Sequence, residues 1–467
     1  FGSELKALQA FPGWSAEISR EALPLFMRFG YLPAPFSIFQ GIHKVQPGTV
    51  LSLSFDEADK RTPPATAALS TTVFWSIEET VRKALAGPSR LSESEAVERL
   101  DALLRTTVKR QMIADVPLGA FLSGGIDSSA IVALMQAQSL SKVKTFTIGF
   151  HEKAFNEAEY AADVARHLGT DHTELYISPA ELLSVVPRLP AMYDEPFADS
   201  SQVPTFLVAQ MTKRHVTVSL SGDGGDELFG GYTRYFICQT LWERLGRCPL
   251  PLRKYAAGLL RRIPGTSWNH FSRRISETLF PLSQSEPLSG KLAKLAEIMT
   301  FDDHSALYRD LLSVSKTPLA LMAGNGVEQA LAAFASTPPS GLDFFQRMMY
   351  WDQLLYLPDD ILAKVDRAGM AVSLETRMPF LDHQVVEFAW SLPTSMKIRQ
   401  GGGKWLLRKM LGKYVPEHLI DRKKMGFSMP LGAWLRGPLR EWAASLISQD
   451  RLVREGFFEP KMVRRCW

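Results

Sequence analysis

Val116-Pro117-Leu118-Gly119-Ala120-Phe121-Leu122-Ser123-Gly124-Gly125-Ile126-Asp127-Ser128-Ser129 is the stretch on which the reading of the fold turns. Val116 to Leu122 is a compact apolar run, as a buried strand requires, and Ala130 to Met135 continues with helical character. A strand, a tight glycine turn and a helix start bring backbone N–H groups to one point. Two glycines let the main chain approach an anion, and Ser123, Ser128 and Ser129 add hydroxyl donors. The free N–H groups and the positive dipole end of the helix favour negative charge, so the expected guest is a polyphosphate. Asp127 is out of place beside a phosphate unless it holds a magnesium ion that bridges to the phosphate oxygens.

The loop lacks the Gly-Lys-Ser/Thr ending of a Walker motif. Without further support it also reads as a serine-glycine turn at a helix N-cap. It resembles the pyrophosphate loop of the ATP pyrophosphatases, adenine nucleotide alpha hydrolase-like enzymes that split ATP between its α and β phosphates.

The chain of 467 residues is long enough for two or three domains with a large core. Hydrophobic residues make up 46% and charged residues 22%, as in ordinary globular proteins. A net charge of +4, without a dense Lys/Arg patch interleaved with aromatics, gives no reason to expect a nucleic-acid partner. No apolar run approaches the roughly 20 residues of a membrane span, so no membrane partner is expected. Cys238, Cys248 and Cys466 fit neither a zinc spacing nor a disulfide framework, and the nine histidines are scattered. With no leader pattern, a cytoplasmic location is the default expectation.

Between 112 and about 232 the pattern alternates. Strands are expected at 116–122, 143–150, 172–177 and 216–220, and helices at 128–138, 157–168 and 201–213. Such alternation predicts an α/β fold, a doubly wound parallel sheet with ligands beyond the carboxyl ends of its strands. Past residue 240 the chain reads as mostly helical. Ser92 and Glu95 have capping-box spacing, and Val97, Leu100, Leu103, Leu104 and Val108 form a core-facing stripe behind them. Residues 61–91 read as a linker with one helical piece. Residues 1–60, punctuated by Pro33, Pro35, Pro47 and Gly48, hold a strand-like alternation from Val50 to Phe55 and read as a domain remnant or a docked flank.

Strand 216–220 runs into a second glycine-rich loop, Ser221-Gly222-Asp223-Gly224-Gly225-Asp226-Glu227. Carboxylates packed this closely need a cation or a donor to compensate them. Together the two loops resemble the synthetase domain of the glutamine-hydrolysing (B-type) asparagine synthetase family. Further along, Tyr193-Asp194-Glu195-Pro196-Phe197-Ala198-Asp199-Ser200-Ser201 is similar to the family segment between the loops. The run from Leu357-Pro358-Asp359-Asp360 through Asp366-Arg367 to Leu374-Glu375-Thr376-Arg377 resembles its helical motif. Gly403-Lys404-Trp405-Leu406-Leu407-Arg408 and Lys423-Lys424-Met425-Gly426-Phe427 resemble its two later basic motifs. Residues 92–467 are thus expected to form the ATP-pyrophosphatase domain. Tyr31-Leu32-Pro33-Ala34-Pro35 resembles the tail of the family's N-terminal glutaminase domain. That domain begins with a catalytic cysteine, whereas no cysteine precedes Cys238 here. The sequence given is therefore expected to be a fragment that does not hydrolyse glutamine but remains able to use ammonia.

The resemblance implies ATP and Mg2+ as cofactors, and aspartate with glutamine or ammonia as substrates. A homodimer is left open. The Ser123–Ser129 loop would hold the β and γ phosphates, with Asp127 and Asp226 as magnesium ligands. Adenine would lie against backbone groups of Phe121 or Leu122 and of Ile148, and Ser221 and Gly222 would approach the ribose or α-phosphate. Lys424 matches the family lysine that meets the α-phosphate, and Asp223 stands where the family carries an acidic residue tied to intermediate formation. Asp359 or Asp360 corresponds to another acidic site. Glu375 and Arg377 are either substrate contacts or a structural ion pair. The competing readings are an amidotransferase of the same shape acting on another carboxylic acid, and an inactive ATP-binding scaffold.

Overall fold

The computed structural model describes residues 1–15, 17–53, 70–150, 156–262, 295–323, 338–421 and 431–467. They form two compact units: residues 1–231, 314–342 and 349–467 in one, and residues 232–313 and 343–348 in the other.

The first unit is built on a sheet of β3 (Leu118–Phe121), β4 (Lys144–Phe150), β5 (Asp171–Ile177), β6 (Val218–Leu220) and β7 (Glu375–Arg377). Its order is β5-β4-β3-β6-β7 and every neighbouring pair is parallel. The chain leaves β3 towards β4 on one side and later returns to β6 on the other. The order therefore reverses between β3 and β6, which is where a doubly wound sheet opens a crevice. On one face Phe146, Ile148 and Phe150 pack with Val203, Phe206 and Leu207 of the helix Gln202–Lys213. Phe206 is fully buried, and a side chain of this kind contributes about 1.5–3 kcal/mol of transfer free energy. On the other face the helix Ala158–Leu168 comes so close that a Cβ on Gly149 would lie 2.9 Å from that of Ala158.

The expected strands and helices are present with ends shifted by one or two residues. The helix Glu93–Gln111 starts at a complete capping box: Ser92 Oγ accepts from Glu95 N, and Ser92 N donates to Glu95 Oε2 at 2.8 Å. Leu100, Leu104 and Val108 of its stripe are fully buried. Two strands were not anticipated. β7 is short and polar and lies within a segment read as chemistry. Ser70–Val73 forms β2, antiparallel to β1 (Thr49–Ser52), within the stretch read as a linker. The expected helical piece there is Ile77–Ala86, capped by Ser76. Residues 22–38 bury Ala22, Leu25, Phe29, Tyr31 and Leu32 in a cluster with Leu321 and Met322 of the same unit.

The second unit is helical, with Thr233–Leu245, Leu250–Arg262 and His304–Leu311. Tyr235, Cys238, Leu307 and Tyr308 form its interior.

Candidate active site

β3 ends at Phe121, and Leu122 N still donates to Phe146 O at 2.9 Å. The chain then turns through Gly124 at φ +71°, where a Cβ would sit 2.8 Å from the Ala161 nitrogen. Glycine is required here twice over, by backbone conformation and by close approach. Gly125 caps the helix Ile126–Gln136 with no side-chain hydrogen bond, which leaves the helix start open to an anion. Ser123 and Ser128 brace the turn: Ser123 N donates to Ser128 Oγ at 3.2 Å, and Ser128 Oγ donates to Gly125 O at 3.3 Å. Ser129 is fully buried and its hydroxyl makes no hydrogen bond among the described residues. β4 continues through Ile148 to Phe150, past the last β3 partner at Phe146. Leu122 and Ile148 are buried, so a nucleotide base would meet main chain at these positions, as it would at the half-buried Phe121.

The second loop leaves β6 with Ser221 N donating to Arg377 O at 2.8 Å, and Ser221 Oγ donating to Asp223 Oδ2 at 2.6 Å. It passes against the first loop at Gly222, where a Cβ would lie 2.7 Å from Ser128 N. A Cβ on Gly225 would lie 2.5 Å from Asp127 Oδ1. The glycines let the carboxylates of the two loops converge.

A third element closes the site. Lys404, at φ +61°, precedes the helix Trp405–Leu411, and its N–H donates to Phe229 O at 2.8 Å. Its ammonium bridges the two loops, paired with Asp127 on one side and with Asp226 Oδ1 at 2.6 Å on the other. Burial opposes its charge, but the carboxylates of Asp127 and Asp226 prevail and raise its pKa above that of an ordinary lysine. The side chains expected to share a metal thus already share a cation. Two hard carboxylate oxygens beside the open helix start at Gly125 suit magnesium, which binds through one or two carboxylates plus phosphates. Among the described residues no group of three or more His, Cys, Asp or Glu is placed to hold a metal ion.

Behind the second loop lies a buried ionic cluster. Lys364 Nζ donates to Asp199 Oδ2 at 2.5 Å, and Asp199 Oδ1 accepts from both N and Oγ of Ser201 at 2.8 Å. Burial opposes ionisation of Asp199, but Lys364 and these hydrogen bonds hold its pKa below the usual value. Burial also opposes the Lys364 charge, which Asp199, Asp360 and Asp223 together preserve. Asp223 is pushed up by burial, against the pull of the Ser221 hydroxyl and Lys364. The two candidates in the π-helical turn Asp352–Leu362 part company. Asp360, 7% exposed, belongs electrostatically to the Lys364 cluster. Asp359 instead accepts from Ala34 N at 3.0 Å, and burial lifts its pKa to about 6.

Glu375 and Arg377 form an ion pair at 2.6 Å, and Arg377 Nη1 donates to the carbonyls of Gln111 and Ile113 at 2.7 Å. Lys424 lies outside the described residues. Sequence reasoning gave no role to Lys404, Lys364 or Asp199. A lysine at the start of an apolar helix opposes the helix dipole, and Lys364 falls one turn from the buried Ala368. Both are misplaced charges that announce a buried partner.

Comparison with known proteins bears on this arrangement. The Asparagine synthase family profile matches residues 99–467, and the Glutamine amidotransferase domain profile matches residues 1–63. The chain is 32% identical over 458 residues to asparagine synthetase (glutamine-hydrolyzing) 1 of Bacillus subtilis, covering 97% of this chain and 65% of that protein. It is 32% identical over 442 residues to a putative asparagine synthetase (glutamine-hydrolyzing) of Mycobacterium bovis, covering 94% and 62%. A Gibberella zeae protein, amidase chry2, is 23% identical over 449 residues, covering 91% and 64%. The chain thus spans just under two thirds of the length of the first of these relatives. Among the described residues, no helix is long and apolar enough to cross a membrane.

Proposed function

Because this chain belongs to the asparagine synthase family, we propose that it carries the synthetase half of a reaction that converts aspartate, ATP and a nitrogen donor into asparagine, AMP and pyrophosphate. The observation that carries the reading is the junction of Asp127 and Asp226, from two strand ends, on one ammonium. The first loop holds the β and γ phosphates on its N–H groups and hydroxyls, and Lys404 adds a positive charge. Asp127 and Asp226 would hold a magnesium ion, which would supply neutralisation of phosphate charge. The side-chain carboxylate of aspartate attacks the α-phosphorus and pyrophosphate leaves with the bonding pair, which forms β-aspartyl-AMP. Two anions meet in this step, so fixed positive charge is its chief requirement. Lys424 supplies that charge at the α-phosphate. Ammonia, free or released from glutamine, then attacks the acyl carbon, AMP departs, and Asp223 takes the proton that the amine loses.

A different carboxylic acid is the second reading, favoured by the likeness to an amidase. Incubation with ATP, Mg2+, ammonium and a panel of acids, with products followed by mass spectrometry, separates the two. Asparagine, AMP and pyrophosphate in equal amounts support the proposal, and amidation of another acid in preference to aspartate replaces it.

A further inference from the structure

We propose that Lys404 makes divalent-cation binding at Asp127 and Asp226 conditional on nucleotide. This inference rests on the polyphosphate reading of the two loops. The ammonium and a divalent cation lay claim to the same two carboxylates. The ammonium has the advantage of being tethered, since an attached ligand acts at a high effective concentration. It is also well held. The Lys404 N–H is bonded to Phe229 O, and a Cβ on Gly231 would lie 2.1 Å from Lys404 Cε, so the stem runs in a narrow lane.

A metal ion arriving alone would gain two carboxylates and no third His, Cys, Asp or Glu ligand among the described residues. It would also strand a buried ammonium without its counter-charge, which is strongly unfavourable. A polyphosphate on the first loop removes both obstacles. Its oxygens would complete the coordination of the metal, and they would give the Lys404 ammonium a new anionic partner. Metal and nucleotide then promote each other's binding by the same factor.

The test uses the whole chain and Mn2+ as the probe, followed by electron paramagnetic resonance with and without α,β-methylene-ATP. Wild type is expected to bind Mn2+ at least about tenfold more tightly with the analogue than without it. Lys404→Met and Lys404→Gln are expected to bind Mn2+ alone about tenfold more tightly than wild type. Their melting temperatures should rise on addition of Mn2+ alone, where that of wild type stays put, because a ligand stabilises the state it binds. This melting readout remains informative if the variants are weakened by the loss of the ion pairs. Variants that bind Mn2+ alone no better than wild type, while wild type still takes up Mn2+ with the analogue, overturn the inference and leave the polyphosphate reading standing. A wild type that takes up neither the analogue nor Mn2+ with it overturns both.

Discussion

The Lys364 ammonium lies 2.5 Å from Asp199 Oδ2, joining the helix Ala363–Met370 to the segment that follows β5, 165 residues earlier in the chain. Both side chains are largely buried. Breaking such a pair leaves an uncompensated charge in the interior, so Lys364→Met should cost about 3–5 kcal/mol. Adding Asp199→Asn should recover part of that loss, because coupled neighbours are not additive. Urea unfolding of the two single variants and the double variant measures the coupling. Strict additivity would mean that the pair does not interact.

Asp359 should impose a pH dependence on stability. Burial raises its pKa from near 3.8 to about 6, so between those values the native state keeps a proton that the unfolded chain releases. Stability from this group is fully present below pH 4 and is lost as the pH rises through 6. Asp359→Asn keeps an acceptor for Ala34 N without the charge. Its stability relative to wild type should therefore rise by about 2 kcal/mol between pH 4 and pH 7. Thermal unfolding across that range is the measurement, and a difference independent of pH would refute the burial of this carboxyl.

Gly222 is the point of contact between the two loops. Alanine there would place a methyl group 2.7 Å from Ser128 N and 2.8 Å from the Asp127 carbonyl carbon. The loops would have to part, at a cost of about 1–3 kcal/mol in overpacking. Gly222→Ala should weaken binding of α,β-methylene-ATP about tenfold, as calorimetry would show. Undiminished affinity would mean that the nucleotide does not depend on the apposition of the loops.

Lys424 is assigned from its motif alone. Lys424→Ala should abolish aspartate-dependent formation of the adenylate while nucleotide binding changes little, because its charge is needed where negative charge develops. Rapid-quench detection of β-aspartyl-AMP separates the two effects. Adenylate formed at the wild-type rate would remove Lys424 from the mechanism.

Much of the sheet was legible from a compact apolar run around Leu118–Phe121 and from the period-two placing of Phe146, Ile148 and Phe150 in Lys144–Phe150. The glycine loops were legible because Gly124 and Gly222 mark close approaches that side chains would block. β7 escaped notice because Glu-Thr-Arg carries no apolar pattern, and β2 because Ser-Thr-Thr-Val in an exposed pair resembles a linker. The pairing of Lys404 with Asp127 spans 277 residues, and that of Lys364 with Asp199 spans 165. No local pattern encodes such distances. Their trace in the sequence is a lysine where helix dipole or core burial disfavours one. The separation of Asp359 from Asp360 was likewise hidden, since it depends on the docking of Ala34 from the amino-terminal flank.

Exchange of labelled pyrophosphate into ATP tests most directly whether Asp127 and Asp226 grip a nucleotide for the activation of a carboxylic acid. With wild type, label should enter ATP only when aspartate and Mg2+ are both present, and Asp127→Asn or Asp226→Asn should reduce the rate by about a thousandfold. Exchange that proceeds without an acid, or that survives both substitutions unchanged, would contradict the assignment of these two carboxylates to the reaction.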